Sequence, residues 1–442
     1  MSPPVDPVPS DERLPERADV VVIGGGIIGV CAAYYLARKG RSVALVEKGR
    51  IAGEQSSRNW GWCRQQGRDL AEVPLIRHSL ELWGGLNEEI GGDTGFRRTG
   101  LLVVTNDEAQ IAYWHDWTAK AREHQVHGQI LTGSELEAKL PGRADKWRAG
   151  LYSPTDGRAE PSKAAPAIAI AARKLGVTIH QACAARGLET SGGKVSGVVT
   201  ELGTIRTERV LCAGGAWASM FCRRHGIGLP QAGVYATALR TEPAPEVTLG
   251  GVGSPGFSIR RREDGGYTVA MRNRGQLQIT PQGIRYAWKF LPLFRARRKA
   301  LTYGIGRSFF EGPEAIASWR LDEESPFERI RVLDPPPDQA LVDSVMDQLR
   351  AAYPVLRDLR VAEAWGGFID STPDDLPVIS AVDKLPGFYL ATGFSGHGFG
   401  IGPASGRLAA DLVVGDPPVV DPHAFRYSRM YDGSRLAPGT WM

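Results

Sequence analysis

Gly24, Gly26 and Gly29 keep a GxGxxG spacing directly after four β-branched apolar residues, Val20–Ile23. Residues 27–39 then continue with the apolar periodicity of a helix, and a second apolar run, residues 42–46, ends at Glu47. Strand, glycine turn, helix N-terminus and second strand, in that order, can hold a dinucleotide. Gly24 makes the tight turn, Gly26 lets the backbone approach a diphosphate, and Gly29 lets helix and strand pack closely. The diphosphate meets the first free N–H groups of the helix. An acid about 20 residues beyond the glycines accepts hydrogen bonds from ribose hydroxyls and opposes a 2′-phosphate. Glu47 fits that role, so the expected ligand is FAD or NAD and not NADP; the plainer alternative is a structural turn.

Three other stretches carry residue types suited to such a ligand. Residues 208–212 read as a short strand delivering Ala213, Gly214 and Gly215, small residues that let a ligand or another backbone come close. Ser56, Ser57, Arg58 and Asn59 follow Glu47 by one loop and offer hydroxyls and a guanidinium to phosphate oxygens. The alternative is a polar surface loop. Residues 388–391 read as a buried strand, 393–402 as a glycine-rich loop and 403–414 as a helix, which repeats the opening logic without the dinucleotide spacing.

The elements that must position these residues belong to a chain of 442 residues, 42% hydrophobic and 23% charged, an ordinary globular profile with room for two or three domain-sized units. No run of about 18 apolar residues occurs, and residues 1–17 lack a hydrophobic signal core. Export and membrane spanning are therefore not expected, and a cytoplasmic location is; residues 1–16 read as a disordered, proline-rich lead-in. Five cysteines without a C-x-x-C pair argue against a disulfide framework and a zinc site, and no metal is expected. A net charge of +4, dispersed along the chain, gives no case for nucleic acid.

Further along, residues 97–105 read as a strand, 107–127 and 161–175 as helices, and 178–181 and 194–201 as strands. The character changes from about residue 233. Strands are expected over 257–262 and 266–272, then a basic aromatic segment over 285–299, and a helix on which Leu341, Val342, Val345, Met346, Leu349 and Tyr353 share a face. No internal repeat is evident.

The opening motif, Cys212 to Trp217, Trp365-Gly366-Gly367 with Thr372 to Pro377, and Gly393 to Gly398 together resemble the FAD-dependent amine and amino-acid oxidoreductases of the D-amino-acid-oxidase (DAO) type. Residues 18–29 (ADVVVIGGGIIG), 46–58 (VEKGRIAGEQSSR), 183–190 (CAARGLET), 321–328 (LDEESPFE) and 376–380 (LPVIS) are similar to segments of the bacterial L-amino acid deaminases. The resemblance implies an α/β fold of the glutathione-reductase type: a Rossmann-like FAD-binding domain over 17–80, 160–232 and 361–430, and an α+β substrate domain with a mixed sheet over 81–159 and 233–360, followed by a tail at 431–442. It implies non-covalent FAD, with Cys63 a remote candidate for covalent attachment. The reaction would be oxidation of the Cα–N bond of an amino acid to an imino acid, which hydrolyses to a 2-oxo acid and ammonia. Oxygen or a quinone would accept the electrons.

By the same resemblance, cofactor contacts extend to Ile27, Ile28, Lys48, Gly53, Ala185, Trp217 and Gly366, and Gly61 and Trp62 border the flavin ring. Gly396, His397, Gly398, Gly400 and Ile401 bring a helix N-terminus toward the flavin pyrimidine, where negative charge develops on reduction. Arg272 matches the arginine that clamps the substrate carboxylate in the deaminases; a guanidinium fork holds a carboxylate with two parallel bonds. Trp62, Phe394 and Trp60 would shape the side-chain pocket. Trp62 stands where those enzymes have a glutamine, and Phe394 where they have a tryptophan. His397 reads as a catalytic base or, preferably, as a structural, ring-contacting residue. The basic aromatic segment falls where the deaminases carry a membrane-contacting insertion, so it reads as a peripheral membrane contact on the inner face or as a solvated domain helix. The competing functions are oxidation of a secondary or N-methylated amine or cyclic imino acid, and a flavin electron-transfer subunit of a larger complex.

Overall fold

A computed structural model describes residues 2–272, 274–298 and 300–438. The opening run forms β1 (Val20–Ile23), α1 (Ile27–Arg38) and β2 (Val43–Val46). β1 lies parallel between β2 and the strand Val210–Cys212, with Val21 opposite Ala44 on one side and Val210 on the other. Phe388–Thr392 and then Val378–Ala381 extend the sheet beyond Val210–Cys212, and Thr178–His180 extends it beyond β2, giving six strands. A strand covered on both faces needs apolar residues at every position, which is why Val20, Val21 and Val22 are consecutive and wholly buried. α1 packs against the helices Gly402–Val414 and Ala164–Lys174, and Gly406 stands where a side chain would meet Cys31 and the α1 backbone.

The second layer is a ten-stranded mixed sheet. It is built around the long strand Ala232–Thr241, which pairs antiparallel with Val361–Ser371 along its whole length. The helix Gln339–Ala352, capped by Asp338 accepting from the Leu341 N–H at 3.2 Å, lays Val342, Val345, Met346 and Leu349 on this sheet. A buried fork joins the layers: Arg260 donates to both oxygens of Glu160, at 2.7 and 3.1 Å.

The mixed α/β architecture is the one expected, with local corrections. Residues 2–16 are not a disordered lead-in: Asp6 and Asp11 donate backbone N–H groups to Ser162 and Ile179, Asp11 pairs with Arg173 at 2.6 Å, and Val5 and Val8 pack on the core. The prolines there set an extended strap. The domain boundary at 80/81 would cut the continuous helix Val73–Ile90, whose Leu75, Ile76, Leu80, Trp83 and Leu86 all join the core around α1. Val361–Ser371, assigned by sequence to the FAD-binding domain, is a strand of the ten-stranded sheet, because its register partner Ala232–Thr241 lies there. The expected strand over 266–272 ends at Ala270, and Arg272 sits in the turn beyond it. Lys299 and residues 439–442 of the expected tail lie outside the described residues.

Candidate functional site

A cavity of about 870 Å³ is lined by residues of both layers. At one end the two glycine turns meet. Gly24 has φ +109°, and a side chain there would come within 2.5 Å of the Ala213 carbonyl oxygen, so both turns are restricted to small residues. Gly26 faces open space, with only Ser56 Oγ, at 3.1 Å, near the position of a Cβ. No side chain of Gly26 caps α1, and Ser56 Oγ accepts from the Ile27 N–H at 2.8 Å. Glu47 accepts from the Gly25 and Gly49 N–H groups, each at 2.7 Å, with one oxygen apiece, which leaves lone pairs for further donors. Burial pushes its carboxyl above the usual range. An open glycine cradle at a helix N-terminus beside a fixed carboxylate suits the diphosphate and ribose of FAD.

Ile28, Gly53, Asn59, Ala185, Gly214 and Gly215 line the same end. Lys48 and Trp217 line it too, but are engaged with each other: the Lys48 ammonium sits 4.5 Å from the Trp217 ring centroid and pairs with Glu54 at 2.6 Å. Arg58 departs from its expected role. Its guanidinium donates to Asp334 at 2.9 Å, to the Gly366 carbonyl at 2.8 Å and to Ser2 at 2.6 Å, and only Nε lacks a partner. Four expected contacts do not line the cavity. Ser57 turns inward to the Glu54 carbonyl, and Gly366 packs under Pro335 and Pro336. Ile401 is wholly buried, and Gly61 lets Ala159 and Arg260 approach, an added Cβ lying 2.5 Å from one and 2.7 Å from the other.

The other end gathers Trp62, Arg272, Phe394 and His397. The Arg272 Nη1 and the Trp62 ring edge both lie 3.2 Å from where a Gly253 Cβ would be, so the face that strand Gly251–Gly253 turns toward them carries only glycines. The Trp62 indole N–H is buried without a partner, and Trp60 packs edge-on at 5.3 Å. Arg272 is half-buried; burial lowers its basicity, and among the described residues no acid offsets that effect. The loop carrying Phe394 and His397 is fixed by Asp370, which accepts from Gln55, Gln231 and the Gly393 N–H at 2.9–3.0 Å and is raised by burial to about 6. Its far end, the Gly400 carbonyl, accepts from Ser79 and Trp83.

Behind this loop is a charged cluster that sequence reasoning missed. Glu72, wholly buried, lies 3.4 Å from His397 Nδ1 and 3.8 Å from Arg68, and neither carboxylate oxygen has a hydrogen bond. Burial pushes Glu72 up to about 7 and, with Arg68, Arg64 and Arg297, pushes His397 well below its ordinary 6.5. A buried neutral imidazole among guanidinium groups is poorly placed to take up a proton, which suits the structural reading of His397. The available signal was the close spacing of Arg64, Arg68 and Glu72 after Trp62. The Cys63 thiol is buried and pushed up by that burial, a poor nucleophile for covalent attachment.

The basic aromatic segment closes one wall. It forms two short helices, Pro281–Tyr286 and Leu291–Arg297, and Ile284, Ala287, Phe290, Phe294 and Arg297 line the cavity. Arg297 pairs with Asp375 at 2.6 Å, the acid being raised by burial to about 7. Outward it shows Ile284, Trp288, Leu291 and Phe294, then Tyr303, Ile305 and Phe310, with Trp288 71% and Phe310 80% exposed, beside exposed Arg285, Arg295, Arg298 and Arg307. Lys289 instead turns in, donating to the Met430 carbonyl. Among the described residues no helix is long and apolar enough to cross a membrane, and no acid, histidine and cysteine cluster could hold a metal.

Residues 19–412 match the DAO family, described as FAD dependent oxidoreductase. Among solved structures, the L-amino acid deaminase from Proteus myxofaciens, determined with anthranilate, aligns with TM-score 0.93 and 35% identity, covering 97% of each chain. The sarcosine oxidase subunit beta of an Arthrobacter species is 26% identical over 90% of this chain and 87% of its own length. The mitochondrial dimethylglycine dehydrogenase of Rattus norvegicus is 25% identical over 93% of this chain, which spans 44% of that protein.

Proposed function

Because the chain belongs to the DAO family of FAD-dependent oxidoreductases, we propose that it oxidises the Cα–N bond of an amino acid whose carboxylate is held by Arg272. The observation that carries this reading is a half-buried guanidinium with no acid partner among the described residues, lining the cavity beside Trp62. Such a group calls for an anion from the ligand, and a bidentate grip on the α-carboxylate fixes the direction of the Cα hydrogen. The deaminase structure with anthranilate, an aromatic amino acid, supports a carboxylate ligand for this site. Bound FAD supplies the acceptor for two electrons and one hydrogen. The substrate loses the Cα–H hydrogen with its electron pair and one proton from nitrogen, leaving a C=N bond; water adds to that bond and ammonia leaves, giving the 2-oxo acid. Arg272 binds and orients, while Trp62, Trp60 and Phe394 exclude water and pack on the side chain. Gly26, Ile27, Ser56 and Glu47 would hold the diphosphate and ribose.

Anaerobic bleaching of the flavin absorbance by a panel of L- and D-amino acids, followed by ammonia and 2-oxo acid assay, tests the reading; release of methylamine, formaldehyde or a cyclic imine refutes it. The similarity to sarcosine and dimethylglycine enzymes favours as second reading an N-methylated amine, which the same product analysis identifies. The outward apolar and basic face of residues 284–310 supports a peripheral membrane contact, where a quinone is at hand as acceptor in place of oxygen. Slow recolouring in air with fast recolouring by a soluble quinone is the expected result; the reverse assigns oxygen.

A further inference from the structure

The end of the cavity next to Glu47 is covered by a segment that comes from the other layer. Residues 326–334 lie in sequence between the strand Leu301–Gly304 of the ten-stranded sheet and the helix Gln339–Ala352 that packs on it. They nevertheless cross to the six-stranded layer: Phe327 shares a core with Val21, Val46, Trp217 and Phe221, and Ile330 and Leu333 lie against it. Phe327 stands 5.8 Å from the Trp217 ring and 6.1 Å from the Phe221 ring, and all three line the cavity with Lys48 and Ala185. This aromatic end adjoins the carboxylate placed for the ribose, and it suits a purine. The segment is fastened along its length. Arg186 donates to both oxygens of Glu328, at 2.9 and 2.8 Å, and Arg331 donates to both oxygens of Glu201. The Lys48 ammonium donates to the Ile330 and Arg331 carbonyls, at 2.9 and 3.0 Å. Glu54 accepts from the Leu333 N–H, and Asp334 accepts from Arg58, each at 2.9 Å. Gly49 permits the approach, since a Cβ there would lie 2.3 Å from the Arg331 carbonyl oxygen. Lys48 and Arg58, which the family resemblance gives to the cofactor, thus direct their charge at this segment.

We propose that residues 326–334 clasp the adenosine half of FAD, and that Lys48 and Arg58 serve the cofactor as positioning residues that hold this clasp. The inference rests on the placement of the ribose at Glu47 and does not depend on Arg272. A cofactor whose adenosine end is covered leaves only when the forks to Glu201 and Glu328 open, so the clasp sets how long FAD stays. It takes no part in holding the amino acid, because none of its contacts reaches Arg272 or Trp62.

The test times FAD release by the recovery of flavin fluorescence after dilution of the loaded enzyme, for the unaltered chain and for Arg186→Met with Arg331→Met, neither of which lines the cavity. Release should quicken at least about tenfold, with the flavin absorbance maximum and the affinity for the amino acid unchanged. Arg186→Lys with Arg331→Lys should keep part of the retention. Gly49→Ala, which presses on the Arg331 carbonyl without removing a charge, should also quicken release. Release at the unaltered rate in all three overturns the proposal, and so does a matching loss of amino-acid affinity, since the whole cavity would then have loosened. Trypsin reads the clasp directly, because Arg329 is exposed. In FAD-free protein, ADP should slow cleavage after Arg329 as FAD does, and FMN should not. Protection by FMN, or none by ADP while ADP still competes with FAD, overturns the clasp alone. If ADP does not compete with FAD, the placement of the ribose at Glu47 fails, and the clasp with it.

Discussion

Replacing Glu72 by Gln should make the protein more stable in alkaline solution, not less. Glu72 is wholly buried, its oxygens have no hydrogen bonds, and Arg68 at 3.8 Å attracts it too weakly to offset desolvation. Raising an acid from its ordinary 4.5 to about 7 corresponds to about 3 kcal/mol. The sign follows from the folded state binding the proton more tightly than the unfolded chain. The contribution of Glu72 is fully present below pH 4.5 and is lost as the pH rises through about 7. Glutamine keeps the neutral shape at every pH, so the advantage of Glu72→Gln over the unaltered enzyme should grow from about 1 kcal/mol at pH 5 to about 3 kcal/mol at pH 9. The groups facing Glu72 are Arg68, Arg64, His397, Asp374, Asp69 and Asp375. Of these His397 titrates in the opposite sense, being held below 6.5 and losing stability as the pH falls. Taking the difference between the two proteins removes most of that background. Urea unfolding of the FAD-bound enzyme, followed by tryptophan fluorescence from pH 5 to 9, reads the difference. Parallel pH profiles, or an unaltered enzyme that is the more stable at pH 9, would refute the reasoning: the ionised pair with Arg68 would then outweigh burial.

Other consequences are as definite. Arg272→Met should raise KM for the amino acid by about two orders of magnitude, the scale of losing one bidentate charged contact, with flavin content unchanged; steady-state kinetics and absorbance check it. Gly29→Ala pushes a methyl group into the Gly24 carbonyl, so α1 must retreat from β1. The expected outcome is purification with little FAD and a loss of about 1–3 kcal/mol, measured by the ratio of flavin to protein absorbance. Trp288→Ser with Phe310→Ser, neither of which lines the cavity, should abolish sedimentation with anionic vesicles and leave amino-acid oxidation by soluble acceptors intact; no binding by the unaltered enzyme removes the membrane reading.

What could be read from the sequence was what depends on near neighbours. β1, α1, β2 and Glu47 follow from apolar runs and glycine spacing within 28 residues, and each appears where expected. The amphipathic helix Gln339–Ala352 was legible for the same reason. The long pair Ala232–Thr241 and Val361–Ser371 was not, because Gly233, Gly366 and Gly367 blur the alternation and the partners are over 100 residues apart. The helix Val73–Ile90 was hidden by Pro74, Gly84 and Gly85, which tertiary packing of its apolar face overrides. At the site, residue identity did not tell direction. Ser56 and Arg58 sit two residues apart in one short helix, yet one meets the α1 N-terminus and the other turns to Asp334. Arg64 and Glu72 look like ordinary loop polars until the fold buries them.

Val361–Ser371 is laddered into one sheet for its full length, while its Asp370 grips Gln55 and Gly393 of the other layer and Arg58 holds its Gly366 carbonyl. The Arg260–Glu160 fork locks a second point. The two layers are thus cross-linked by polar contacts at separate points. The wall of residues 281–298 lies across the cavity, pinned by the Arg297–Asp375 pair and by Lys289 on the Met430 carbonyl. Mutation in that wall can therefore change the lining of the cavity without touching the contacts that fasten the two sheets.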